Sequence, residues 1–221
     1  MKLNLDKINI MRLSLRFIAI FCGFFIIANG IVFTINANLG VMPWDVLHIG
    51  ISYHVGISLG RVMQIVGLAL VAFSYILKIH PHIGTVLNMI FVGFFVDLVI
   101  KMDYIPPSGS LLSQIFLYVI GVVLIGIGIA LYISANLGAG PRDSLMLALT
   151  KATRFQVGTI RTFMEVVVTL LGYLMGGPLG IGTVIFALSI GSFMNMGFTL
   201  IRLFKNTLMY KYIWGININQ Q

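Results

Sequence analysis

The pattern A-N-L-G-x-x-P-x-D occurs at Ala37–Asp45 and again at Ala135–Asp143, an offset of 98 residues. The register holds without a gap well beyond the motif. Gly23 aligns with Gly121, Gly30 with Gly128, Gly60 with Gly158 and Tyr75 with Tyr173, and Ile83-Gly84-Thr85-Val86 aligns with Ile181-Gly182-Thr183-Val184. Over the 75 positions from Gly23 to Asp97 there are 20 identities, and the Asn, Gly, Pro, Asp and Thr matches do not follow from an apolar alphabet. The chain is therefore an internal duplication, repeat 1 over about 14–100 and repeat 2 over about 111–201. Any fold must accommodate two copies of one unit.

Each copy of the motif interrupts long apolar runs. With 59% hydrophobic and 9% charged residues and a mean hydropathy of +1.03, the chain has too little charge to cover a water-facing surface. Its solvent is lipid, where helices satisfy their own backbone groups. The runs Ser14–Asn36, Val62–Leu77, Ile83–Ile100, Leu111–Ser134, Val157–Met175 and Leu179–Ile201 are near the length that crosses about 30 Å of hydrocarbon. The first is too long for a cleaved signal peptide and reads as an uncleaved span. Pro43–His54 and Pro141–Thr153 reach only about 18 Å as helices, too short to cross. They read as short helices that are re-entrant or interfacial. The fold class is thus an all-α polytopic membrane protein of six transmembrane helices, one domain over 1–221.

The basic residues test this layout. With the N-terminus inside and six crossings, Lys2, Lys7, Arg12, Arg16, Lys78, Arg142, Lys151, Arg154, Arg202, Lys205 and Lys211 fall inside. Only Arg61 and Lys101 fall outside, and Arg161 lies within a span. Eleven against two is the bias expected of cytoplasmic loops. Eight crossings would put Arg142 outside and weaken it. Both termini are therefore expected inside, with 202–221 as a cytoplasmic tail. Three crossings per repeat is an odd number, so the second copy enters from the opposite side. Inverted repeats with short helices between full spans recur in transporters.

The double motif resembles the YczE/YyaS/YitT group of bacterial integral membrane proteins, and most closely its YczE-like branch, in which an "LGxxPWD"-like segment precedes a short apolar helix. The likeness runs from about Ser14 to Ile201. Arg142 departs from it, standing where Trp is common. The resemblance implies a multi-spanning protein of the bacterial cytoplasmic membrane and carries no activity with it.

Asp45 and Asp143 are the sharpest candidates for a site. A carboxylate in a membrane segment is costly and often marks an ion, proton or substrate path. Pro43 and Pro141 equally suit a first helical position, which places each Asp in a first turn where the positive helix end attracts it. Asn38 and Asn136 either terminate helices beside Gly40 and Gly138 or line a polar cavity, and Arg142 could attract an anionic ligand. Gln64, Asn88, Asp97, Glu165 and Asn195 lie inside spans and are expected to face the bundle interior, where interhelical bonds are their simplest use. Arg161 and Glu165 stand at i, i+4 spacing for a local ion pair. Cys22 reads as a buried thiol without a reactive role.

No nucleophile–base pair, zinc helix or phosphate-cradling loop is recognisable. The His80–Pro81–His82 stretch is a weak metal pattern. The expectation is no enzyme, no cofactor and no metal. The partners are the lipid bilayer and a small solute or ion of unspecified class, with homo-oligomerisation left open. Scattered basic residues argue against nucleic acid. The expected function is a small-solute or ion permease with a central polar site between the repeats. The competing expectation is a non-transporting membrane protein that assists or regulates a partner in envelope or metabolite biogenesis.

Overall fold

The computed structural model describes residues 2–203, with side chains described from residue 13 onward. Lys205, Lys211 and most of the expected tail lie outside the described residues. Among the described residues the chain is all helical: α1 (Lys2–Ala37), α2 (Pro43–Val55), α3 (Leu59–Ile76), α4 (Ile83–Met102), α5 (Leu111–Ser134), α6 (Pro141–Thr153), α7 (Val157–Leu174) and α8 (Ile181–Leu203). Six contain apolar stretches long enough to cross a membrane, Leu13–Ala37 within α1 and the whole of α3, α4, α5, α7 and α8. Large apolar side chains cover their outer faces, Leu112, Leu188 and Leu174 among them, each more than two-thirds exposed. Such a surface is stable only against lipid. The two 13-residue helices, α2 and α6, are the short segments expected between spans.

The duplication extends to the backbone. Helices α2 and α3 start and end 98 residues before α6 and α7, and α4 starts 98 before α8. The left-handed residues pair at the same offset: Asn38 (φ 54°) with Asn136 (53°), Gly40 (100°) with Gly138 (127°), Gly56 (70°) with Arg154 (62°), and Lys78 (63°) with Gly176 (74°). Asn tolerates this conformation better than most residues, which is why Ala-Asn-Leu-Gly ends α1 and α5 in both copies. Pro then opens α2 and α6 from the first helical turn.

Helices α1 and α5 form the centre and run antiparallel. A Cβ on Gly30 would lie 2.7 Å from the Gly121 carbonyl oxygen, and one on Gly23 would lie 2.9 Å from that of Gly128. These two contacts exchange under the 98-residue offset, so the crossing has local two-fold character. Helix α4 packs on α1 and α8 on α5, while α2 packs on α7 and α6 on α3. The short helix of each half thus lies against the other half. Backbone bonds fasten the exchange. Gly84 N–H donates to the Leu137 carbonyl (2.9 Å), and its repeat mate Gly182 N–H donates to the Leu39 carbonyl (2.8 Å).

Symmetry fails where α3 meets α4. Helices α3 and α4 pack closely, Gly60 against the Gly93 carbonyl. Their mates Gly158 on α7 and Gly191 on α8 face open space, with no atom within 4 Å of a Cβ added at either. Asp97 explains part of the difference: it accepts from Ser58 Oγ (2.6 Å) and Gly60 N–H (2.7 Å), capping α3 from α4. Its mate Asn195 is exposed, and Gln156 makes no side-chain cap on α7. The expectation that Asn195 faces the interior is therefore corrected, because α8 stands off from α7. Cys22 is likewise exposed on α1 rather than buried.

The glycine contacts yield a stability test. Gly30→Ala or Gly121→Ala should lower stability by roughly 1–3 kcal/mol through overpacking against backbone. Gly158→Ala and Gly191→Ala should leave it unchanged or raise it slightly, as read by thermal unfolding in detergent.

Candidate functional site

Between the α1–α5 centre and the α2–α7 and α3–α6 pairs lies a cavity of about 480 Å³, within the range of small-molecule sites. Every helix contributes to its wall. From the first motif come Met42, Pro43 and Trp44, followed by His48; from the second come Asn136 and Gly138 through Asp143. The second copy supplies more of the lining. The linker between repeats binds the end of α1. Asn36 Nδ2 donates to the Ile105 carbonyl (2.6 Å), and Ser108 donates through N–H to Asn36 and through Oγ to Ala37, both at 3.1 Å.

The two aspartates occupy equivalent first turns and very different surroundings. Asp45 is fully buried. His48 Nδ1 lies 3.1 Å from its Oδ1, within hydrogen-bond distance. Arg142 reaches the same oxygen at 3.8 Å, lies over the Trp44 ring at 5.1 Å and donates to Met42 Sδ at 3.5 Å. Asp45 Oδ2 has no hydrogen-bond partner among the described residues. Arg142 thus bridges the halves: it comes from the second motif and pairs with the aspartate of the first. Asp143 is half-buried at the cavity wall, where Tyr132 Oη donates to its Oδ2 (3.3 Å).

The other candidates divide. Asn136, Asn88 and Glu165 line the cavity. Glu165 pairs with Arg161 at 3.0 Å, the interaction their spacing suggests. Asn38 is exposed, outside the cavity wall, and its place in the structure is that of a helix terminator. Gln64 Nε2 donates to the Ile90 carbonyl (2.8 Å), joining α3 to α4 beside the Asp97 cap. Gln64 and Asp97 are therefore brought to the α3–α4 seam and Asn195 to the exposed face of α8, none of them to the cavity.

Sequence reasoning passed over three residues of the wall. None of Trp44, His48 and Tyr132 stands among the site residues expected from the sequence. Spacing held a signal for His48, since i, i+3 from Asp45 places both on one face of α2. Nothing local marked Tyr132, which reaches Asp143 only because the chain turns back between α5 and α6.

Comparison with known proteins places this arrangement in a lineage. Residues 14–198 match the model of DUF6198, a family of unknown function. The chain belongs to that family. It is 40% identical over 183 residues to the uncharacterized membrane protein YczE of Bacillus subtilis (strain 168), covering 81% of this chain and 84% of that one. An uncharacterized protein of Haemophilus influenzae is 36% identical over 166 residues, covering 75% and 74% respectively. The uncharacterized protein YyaS of Bacillus subtilis is 30% identical over 167 residues, covering 74% and 82%. No solved structure matches. The chain is thus a multi-pass membrane protein of the DUF6198 family, and its relatives carry no activity across to it.

The Asp45–Arg142 contact is testable as a link between the halves. In a cycle of Asp45→Asn, Arg142→Gln and the double variant, each single change should destabilise. The double should be less destabilising than their sum by about 1 kcal/mol, within the range for contacting charges. Additive effects in thermal unfolding would show that the two do not interact.

Proposed function

We propose that this DUF6198 protein is a small-solute permease of the bacterial cytoplasmic membrane, working by binding and passage rather than covalent chemistry. The observation that carries the reading is the cavity between the two repeats, whose largely apolar wall also carries Asn88, Asn136, Arg142, Asp143 and Glu165. Ionisable groups at membrane depth are expensive to maintain and mark a path for a solute or ion. Sites between internal repeats, shaped by the ends of short helices, are where many transporters bind their solutes.

We further propose that the repeats are inverted, with the N-terminus and the tail in the cytoplasm. The antiparallel α1–α5 crossing and the distribution of basic residues support this. In that orientation the α3–α4 seam, sealed by Gly60, Gly93 and Asp97, lies outside. The open α7–α8 seam then lies inside, and the described state is inward-facing. Exchange of the two seams would turn the cavity outward: α3 parts from α4 while Gly158 closes on Gly191. Rocking of one repeat against another about a fixed site is the usual form of such a cycle.

Two measurements bear on this. In proteoliposomes offered a panel of ions and metabolites, the wild type should move at least one solute, and Asp143→Asn should strongly reduce that flux. Flux unaffected by Asp143→Asn would remove the cavity from the pathway. In a Cys22→Ser background, His54→Cys and Ala152→Cys should label from opposite faces of the membrane, and same-face labelling would refute the inversion.

A further inference from the structure

From the charge left uncompensated on the cavity wall, we infer that the solute is an amphipathic organic cation with one positive charge and an apolar body. The inference rests on the permease reading for its physiological meaning and on the cavity alone for its chemistry.

The cavity wall carries Arg142, Arg161, Asp143 and Glu165, and Asp45 lies buried beside Arg142, so three carboxylates share two guanidinium groups. Arg161 is taken by Glu165 at 3.0 Å and Arg142 by Asp45 at 3.8 Å. Asp143 is left with the Tyr132 hydroxyl and, among the described residues, no basic group within 4.0 Å. A carboxylate shielded from water calls for a cationic partner.

The repeat explains why this aspartate has no ion pair within 4.0 Å, Arg142, next to it in the chain, being shared with Asp45. Asp45 has His48 and Arg142. The positions equivalent to those two around Asp143 hold Met146 and Trp44, which carry no positive charge. One of two equivalent aspartates thus lines the cavity, as do the aromatic and the thioether at the positions equivalent to its mate's partners. The thioethers add an apolar, adaptable wall: Met42, Met63, Met89, Met146, Met164 and Met194, half of the chain's 12 methionines, line the cavity.

An anion fits poorly. Its one free-standing candidate is Arg142, which already has Asp45 at 3.8 Å and Asp143 next to it in the chain. His48 Nδ1 faces the Asp45 carboxylate at 3.1 Å.

The test uses two probes of one shape and opposite charge, tetraphenylphosphonium and tetraphenylborate. Full-length protein in detergent, carrying Trp214→Phe so that Trp44 alone reports, is titrated with each and its fluorescence followed. Tetraphenylphosphonium should quench saturably, and tetraphenylborate should show only linear partitioning. Asp143→Asn should weaken tetraphenylphosphonium binding by about tenfold or more, a modest share of the attraction between charges about 4 Å apart; Asp143→Glu should retain most of it. Saturable binding of both ions alike, or of the borate alone, would overturn the inference. So would binding indifferent to Asp143→Asn. The wild-type comparison of the two probes decides the matter even if Asp143→Asn does not fold. The two readings fail separately. Saturable phosphonium binding without flux of any solute would sink the permease and leave the ligand class. Flux of another solute without phosphonium binding would do the reverse.

Discussion

Everything in this molecule hangs on the antiparallel contact of α1 with α5. Lipid supplies no hydrophobic drive to bring helices together, so spans associate through close packing and polar bonds. Here Gly23 and Gly30 face Gly128 and Gly121, and the backbones approach until a single added carbon would strike a carbonyl oxygen. That contact brings one repeat against the other. It sets α2 on α7 and α6 on α3, and it leaves the space that the short helices enclose.

Against so regular a frame, the departures carry the meaning. Backbone conformation repeats at Asn38 and Asn136, and at Gly40 and Gly138, so the motif is first a device for ending one helix and starting another. The two aspartates then diverge. Asp45, wholly buried with His48 and Arg142, ties the halves together. Asp143, with one hydroxyl donor, faces the cavity. The seams diverge as well: Asp97 holds the N-terminus of α3, while the equivalent end of α7 has no such latch. One duplicated aspartate is buried between the halves and the other stands on the cavity wall.

How much of this was legible in the sequence follows from what each feature depends on. The spans were readable because hydrocarbon thickness fixes their length, and Leu111–Ser134 was placed to the residue. The short helices were readable because Pro43 and Pro141 mark first turns and 13 residues cannot cross. Asp45 and Asp143 stood out because charge is rare in lipid. Their different fates did not, since these depend on which residues of the other repeat reach them. Arg142 meets Asp45 across 97 residues of chain, and no local pattern reports that. Asn195 was misjudged for a related reason: its mate Asp97 is engaged only because α3 touches α4, and the corresponding contact of α7 with α8 is open.

The central claim is that the two seams exchange, and paired spin-label distances test it most directly. Labels at Arg61 and Phe94 report the α3–α4 seam, and labels at their repeat mates Thr159 and Ser192 report the α7–α8 seam; all four positions are exposed. Asp97→Asn weakens the cap that holds α3 to α4. In proteoliposomes this change is predicted to lengthen the Arg61–Phe94 distance and shorten the Thr159–Ser192 distance together. A lengthened first distance with an unaltered second would contradict the account, since the halves would then move independently.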